Sequence, residues 1–270
     1  MLHFCIPSPA DVDYKPRDTQ EFPLSTQNST PLGFSWDSSV LPQVNPGTIR
    51  RALAIYLQQL TSFVWDAAKL ENNPFTFVEV QTLLDGVTVG GHKLSDAEQV
   101  TNLADSSKKL VELVKAERFD LDKPTITLLH SIVARNEALE WGVFRGEGEE
   151  TSYSPYVALG EQGEHHPLPT LTGAPELNRI YSEGVEFIKT LPPFEGALTM
   201  FLFGALQQFF FDGNKRTSRH MMNGWLMKHG YDPISVPAAR AQEFNDKMVS
   251  FYVSKDATEM LVFLNSCRRT

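Results

Sequence analysis

Apolar residues recur every three or four positions from Ile49 onward, with Leu53, Tyr56, Leu60, Phe63, Val64 and Ala67 on one stripe. That period marks one face of an α-helix, so the pattern predicts a helix from near Pro46–Thr48 to about Leu70. Glu71-Asn72-Asn73-Pro74 stops it, because the residue before a proline is pushed out of the helical region. Thr76-Phe-Val-Glu79 reads as a capping box opening a short helix that Gly86 closes. Val89-Gly90-Gly91-His92 is a turn. Ser95-Asp-Ala-Glu98 reads as a second capping box whose helix extends to about Glu117. Asp122 with Pro124 starts another, through His130, Val133 and Leu139.

The texture then changes. Gly142–Arg145 and Tyr153–Leu159, separated by Gly and Glu residues, read as a β-hairpin. A polar loop, Gly160–Thr172, follows and carries His165 and His166. Helices resume at Ala174–Leu191, Glu195–Gln208 and Lys215–His229. The last has Met221, Met222, Trp225 and Leu226 on one face and Gly230 as its terminating glycine. Pro237–Tyr252 and Ala257–Cys267 make two closing helices. Residues 1–46, rich in Pro, Ser, Thr, Asp and Asn, have no sustained period and read as an extended arm anchored by Phe34, Trp36 and Leu41. No internal repeat or low-complexity run is present. The expected fold is mainly α with one hairpin, divided into an arm (1–46), a helical region (47–117) and a core (118–270).

Composition narrows the function classes. The 270 residues are 41% hydrophobic and carry a net charge of −9, enough apolar material for a large core and the wrong sign for a general nucleic-acid or anionic-membrane binder. Cys5 and Cys267 stand at opposite ends, so neither a disulfide framework nor a CxxC metal site is on offer. No stretch approaches the ~18 apolar residues of a membrane span, and no basic-then-apolar signal pattern opens the chain. The expectation is a cytoplasmic protein with neither nucleic acid nor membrane as partner.

Candidate chemistry concentrates in Gln208–Arg219, reading QFFFDGNKRTSR. Asp212-Gly213-Asn214 is a turn between two helices, and a helix starting there presents free backbone N–H groups and its positive dipole end. Gly213 lets backbone approach a ligand, and Lys215, Arg216 and Arg219 add cationic donors suited to phosphate oxygens. Asp212 suits a magnesium ion, which takes few protein carboxylates and leaves its other positions to water and phosphate. The stretch thus reads as a polyphosphate cradle. The plainer alternative is an ordinary cap and turn with solvated first-turn cations.

The run resembles the signature of the Fic (Fic/Doc, Fido-fold) family, His-x-Phe-x-Asp/Glu-Gly-Asn-Gly/Lys-Arg-x-x-Arg. Phe210, Asp212, Gly213, Asn214, Lys215, Arg216 and Arg219 fall on it, with Phe210 in a structural place. Gln208 stands where the family has its histidine. Upstream, Glu71 and Asn72 match the inhibitory pattern Ser/Thr-x-x-x-Glu-Gly/Asn of members that carry their inhibitor N-terminally, with Ala67 at the hydroxyl position. The resemblance spans roughly residues 47–265. It implies a helical bundle with a β-hairpin flap, at Gly142–Leu159, that holds a protein target beside ATP.

It also implies chemistry. The family's histidine takes the proton of a target Tyr, Thr or Ser hydroxyl, which attacks the ATP α-phosphorus so that AMP is transferred. Asp212 would hold Mg²⁺, Gly213 and Asn214 the anion hole, Arg216 the phosphates and Arg219 the γ-phosphate, while Glu71 would inhibit by engaging Arg219. A glutamine at 208 cannot take up a proton near neutral pH, and losing a general base costs ~10²–10⁴ in rate. Substitute bases would be His220, His165 or His166, each also readable as a helix or loop residue without a catalytic part. Lys215 is the residue of the Doc branch, which transfers phosphate, but Arg219 is not. The expected function is therefore protein adenylyl transfer, autoinhibited by Glu71 and weakened by Gln208. The alternatives are a catalytically lapsed nucleotide-binding module, or altered chemistry such as phosphate transfer or AMP removal.

Overall fold

The computed structural model describes residues 30–268, and the greater part of the sequence-predicted arm, residues 1–29, lies outside them. Two helices sit at the centre: α7 (Pro193–Gln207) and α8 (Asn214–Lys228), in chain order the seventh and eighth of ten among the described residues. α7 is apolar on every side and buried from Phe194 to Leu206, and α8 is buried from Asn214 to Met227. A helix apolar all round must be central. Around this pair lie α1 (Ile49–Gln58), α2 (Leu60–Lys69), α4 (Leu94–Lys115), α5 (Lys123–Val133), α6 (Pro175–Thr190), α9 (Ala241–Ser254) and α10 (Thr258–Ser266). A short α3 (Phe77–Leu84) joins α2 to α4, and these three share a smaller second core of Val64, Ala68, Phe75, Val80, Val100, Leu103 and Ala104. None of these helices is long and apolar enough to cross a membrane.

Local chemistry explains the boundaries. Thr76 and Glu79 form the full capping box of α3, Asp122 accepts from Thr125 N–H at the start of α5, and Gly230 (φ 78°) ends α8. Phe34 is buried against Phe251 and Trp36, and Ser35 bridges to Asp256, so this part of the chain is stitched to the α9–α10 junction.

Gly224 fixes how closely α8 can be approached. A Cβ there would stand 2.2 Å from the Phe119 ring and 2.8 Å from Leu110 of α4. Gly224→Ala is expected to destabilise the fold by about 1–3 kcal/mol through overpacking, read as a lower urea midpoint with an unchanged slope.

Four sequence expectations are corrected. The predicted helix up to Leu70 is two helices, broken at Gln59 (φ −108°, ψ 14°). Gln59 N–H still bonds Ile55 O and Gln59 O accepts from Phe63 N–H, so the apolar stripe continues across a break that no glycine or proline announces. Ser95 is not a cap: α4 begins at Leu94 with Lys93 flanking it, and Asp96 supplies the first-turn acid. α5 stops at Val133 rather than Leu139, because the chain turns through left-handed Asn136 (φ 61°).

The hairpin also lies elsewhere. The paired strands are β1 (Val157–Ala158) and β2 (Glu164–His165), antiparallel, with Val157 opposite His165. Gly142–Arg145 cannot pair with Tyr153–Leu159 because its polar groups are engaged elsewhere. Gly142 N–H donates to His130 Nδ1, and Arg145 N–H donates to Phe209 O. His165 is therefore a strand residue rather than part of a loop.

Candidate active site

The site is built on the turn from α7 to α8. α7 ends at Gln208, in the left-handed region at φ 49°, after which Phe209 and Phe210 enter the core. Asn214 clasps the turn: its Oδ1 accepts from Phe210 N–H at 2.9 Å, and its Nδ2 donates to Phe210 O at 2.8 Å and to Gln208 Oε1 at 3.0 Å. His130 holds the other side. With Nδ1 accepting from Gly142 N–H, its Nε2–H donates to Asp212 O at 2.9 Å, and its ring stacks on Phe210 with centroids 3.6 Å apart. Burial, with Arg216 nearby, pushes His130 down to about 3 against the Asp212 hydrogen bond, so it is a neutral strut. Arg145, fully buried, donates from Nε to Gln208 O at 2.7 Å and from Nη1 to Thr170 Oγ1 at 2.9 Å. Gly213 takes φ 72°, and a Cβ there would come within 3.2 Å of Ala134 Cβ, so the fold requires this glycine independently of any ligand.

Charge is the unusual feature. Lys215, Arg216 and Arg219 are buried in the first turns of α8, which holds no acid in its first turn. Cations at a helix N-terminus oppose its dipole, and burying them adds a desolvation cost. Three carboxylates from elsewhere offset this. Glu71, in the turn after α2, accepts from Arg219 Nη2 at 3.1 Å through Oε1 and lies 3.7 Å from Lys215 Nζ through Oε2. Glu137 Oε2 accepts from Arg216 Nη1 at 2.6 Å, and Asp212 Oδ2 lies 3.6 Å from Arg216 Nη2. Burial alone would raise the Glu71 carboxyl, but Lys215, Arg219 and Arg216 outweigh it and hold it at about 2. Arg216 is raised despite its burial, by Asp212, Glu137 and Glu71. Arg219 is lowered, chiefly by burial, and its Nε and Nη1 are buried with no hydrogen-bond partner among the described residues.

The turn brings together Gln208, Asp212, Gly213, Asn214, Lys215 and Arg216, which line one small pocket with Glu71, Val157 and Tyr252. Asn72 is not part of it. Its side chain is exposed, and its contribution is the left-handed backbone (φ 62°) that ends α2 and leaves Glu71 facing α8. Its neighbour Asn73 is the buried one. Gln208 is tied at both ends of its amide, with Nε2 donating to Ala205 O at 2.6 Å and Oε1 accepting from Asn214.

The three histidines weighed as substitute bases are placed away from this pocket or engaged. His220 is buried, with Nε2 2.9 Å from Ser106 Oγ, and burial pushes it down to about 3. His165 Nε2 is 2.8 Å from Leu206 O and its Nδ1 is 3.2 Å from Lys255 Nζ, while His166 is largely exposed. Sequence reasoning missed Glu137, Gln99 and Asn73. Nothing in their spacing signals the site, since they join it only through the packing of α4 and the α5 turn onto α8. As for metal, Asp212 is one partly exposed carboxylate in the pocket, with Oδ1 accepting from Gly213 N–H. An aspartate placed this way fits a magnesium ion that brings phosphate and water ligands with it.

No family model matches the chain. Over 214 residues, 76% of the chain, it is 23% identical to protein adenylyltransferase Fic of Drosophila erecta, and over 207 residues it is 25% identical to the protein of that name in Drosophila yakuba. The aligned region spans 39% and 38% of those two proteins, about two fifths of their length. Among solved structures, the fold matches Fic-1 from C. elegans with a TM-score of 0.64 at 18% identity, covering 81% of this chain and 66% of that one. A Fic domain containing signaling protein from Bacteroides thetaiotaomicron matches with a TM-score of 0.65 at 19% identity, covering 85% and 88%. Together with the helical architecture and the Phe210–Arg219 run at the start of α8, these likenesses give the chain the fold of Fic-domain proteins.

Proposed function

We propose that the chain binds ATP with its magnesium ion at the start of α8, and that it is a protein adenylyltransferase held closed by Glu71 and slowed by Gln208. The observation that carries this is the Glu71 carboxylate lodged between Lys215 and Arg219, with two further Arg219 nitrogens unpartnered among the described residues. An anion-sized place at a helix N-terminus, lined by cations and already taken by a carboxylate, suits a terminal phosphate, and the two anions compete for the same donors.

In this reading Gly213 and the free N–H groups of the first turn face the phosphates, and Arg216, Arg219 and Lys215 balance their charge. The ion, when bound through Asp212, would neutralise phosphate oxygens. A target hydroxyl oxygen bonds to the α-phosphorus, the bond from that phosphorus to the bridging oxygen breaks, and pyrophosphate leaves. No histidine stands at position 208 to take the hydroxyl proton, so it passes to solvent at a cost in rate. The target is a protein segment laid along the hairpin, whose β1 residue Val157 reaches the pocket. A cytoplasmic setting completes the proposal.

A second reading has its own support. Because both ends of the Gln208 amide are occupied by Ala205 and Asn214, the residue is locked as a structural clasp, which suits a nucleotide-dependent binding module.

The test is ATP·Mg²⁺ titration calorimetry followed by labelling. Glu71→Gly is expected to tighten ATP, and adding Arg219→Ala to weaken it by about 10- to 100-fold, the worth of one charged hydrogen-bonded contact. Label from α-³²P-ATP but not γ-³²P-ATP supports adenylyl transfer, and the reverse supports phosphate transfer. Tight ATP with no label from either supports the binding module. No ATP binding by Glu71→Gly rejects the proposal.

A further inference from the structure

Arg216 and Arg219 each meet a glutamate, but the two glutamates are held differently. Glu71 stands in the turn after α2, and among the described residues its side chain accepts a hydrogen bond from Arg219 and pairs with Lys215. Glu137 is gripped from behind. Gln99 Nε2, on α4, donates at 2.9 Å to the same Oε2 that Arg216 uses, and Asn102 Nδ2 lies 3.4 Å from Oε1. Gln99 is itself oriented, because its Oε1 accepts from Asn73 Nδ2 at 3.0 Å. A reversed Gln99 amide would set its oxygen against the Glu137 carboxylate and lose the Asn73 bond, so one orientation is fixed. Asn102 is anchored in turn by Arg135, whose Nη2 donates to Asn102 Oδ1 at 3.0 Å.

These contacts distinguish an obstruction from a support. A carboxylate braced only by the cations it covers leaves when phosphate takes those cations. A carboxylate fixed by neutral donors from a second helix stays, and holds one edge of the guanidinium in place. The Arg216 and Glu137 side chains are 3% and 12% exposed, so little water competes for the pair. The other terminal nitrogen, Nη2, faces Asp212.

We propose that Glu137, braced by Gln99 and Asn102, is the positioning residue that aims Arg216 at the phosphates; this rests on the nucleotide-binding reading above. The Asn73–Gln99 bond gives the turn that carries Glu71 a second and opposite task. Through Glu71 it withholds Arg219, and through Asn73 it steadies Arg216. Drawing the whole turn away therefore differs from removing the Glu71 carboxylate alone.

The experiment compares chains that all carry Glu71→Gly, titrated with ATP·Mg²⁺ and with adenosine. Adding Glu137→Ala is expected to weaken ATP by about tenfold or more, since a misaimed arginine forfeits a charged hydrogen bond. Glu137→Gln, which keeps an acceptor oxygen, should stay within about threefold, and Gln99→Met should cost about three- to tenfold. Adenosine, which lacks phosphates, should bind all of them alike, whereas general damage to the fold would weaken both ligands. If Glu71→Gly binds ATP and Glu137→Ala leaves that affinity unchanged or tighter, Glu137 is at most a competitor like Glu71, and the inference is overturned while the nucleotide reading stands. Should Glu137→Ala not fold, an unchanged ATP affinity in Gln99→Met overturns it instead. If Glu71→Gly binds no ATP, the nucleotide reading fails and this inference falls with it.

Discussion

Histidine at position 208 is expected to raise transfer of α-³²P label by about 10²–10⁴-fold when Gln208→His is combined with Glu71→Gly, the range that a positioned general base contributes. On the proposed function Glu71 has to go first, because its carboxylate sits on the Lys215 and Arg219 cations that the phosphates would use. The backbone can accept the exchange. Gln208 is left-handed at φ 49°, a region in which histidine is among the better tolerated residues. The exchange gives up the bond from Gln208 Nε2 to Ala205 O, while one imidazole nitrogen can accept from Asn214 Nδ2 in place of Gln208 Oε1. The comparison is the initial rate of label incorporation in Glu71→Gly and in the double variant, with ATP affinity measured in both. Equal rates at equal affinity would mean that the missing proton acceptor is not what limits the chain.

What could be read from the sequence follows from how local each signal is. Caps and turn glycines act within a few residues, so the starts of α3 and α5, the end of α8 and the α7–α8 turn were all legible. The Ser95 box failed because the same four residues are equally comfortable one step inside a helix that starts at Leu94. The hairpin was misplaced for a tertiary reason. Gly142–Arg145 has strand-like residues, but His130 and Phe209, distant in sequence, take its N–H groups.

The site divides in the same way. The cations of α8, Lys215, Arg216 and Arg219, lie within one short stretch of sequence and stood out. Glu71 was visible only through the resemblance, and neither periodicity nor spacing could say that it reaches Arg219 across 148 residues. Glu137 was invisible, since a single glutamate after a helix carries no signal until left-handed Asn136 turns it onto Arg216. The partly buried polar network that joins Asn73, Gln99 and Glu137 exists only once the turn after α2, α4 and the turn after α5 have packed together.

Glu71→Gln is expected to destabilise the ligand-free chain by about 3 kcal/mol, because it leaves Lys215 and Arg219 buried without their shared counter-charge. The figure follows from linkage. The carboxyl falls from 4.5 to about 2 on folding, and at about 1.4 kcal/mol per pH unit that drop is worth about 3 kcal/mol. The group is depressed in the folded state, so its contribution is complete above pH 4.5 and fades as pH falls from there through about 2. The stability difference between wild type and Glu71→Gln should therefore be full at pH 7 and shrink progressively below pH 4.5. At neutral pH the melting temperature should drop by about 6–12 °C for a chain of this size. ATP should return most of it, since a ligand at 100 times its dissociation constant adds about 2.7 kcal/mol, close to what the carboxylate supplied. Recovery by ATP in the variant, with a much smaller shift in the wild type, is the pattern of one anion replacing another at the same cations. A variant that melts lower but gains no more from ATP than the wild type does would separate the two sites, leaving Glu71 a brace of the fold and not a competitor of phosphate.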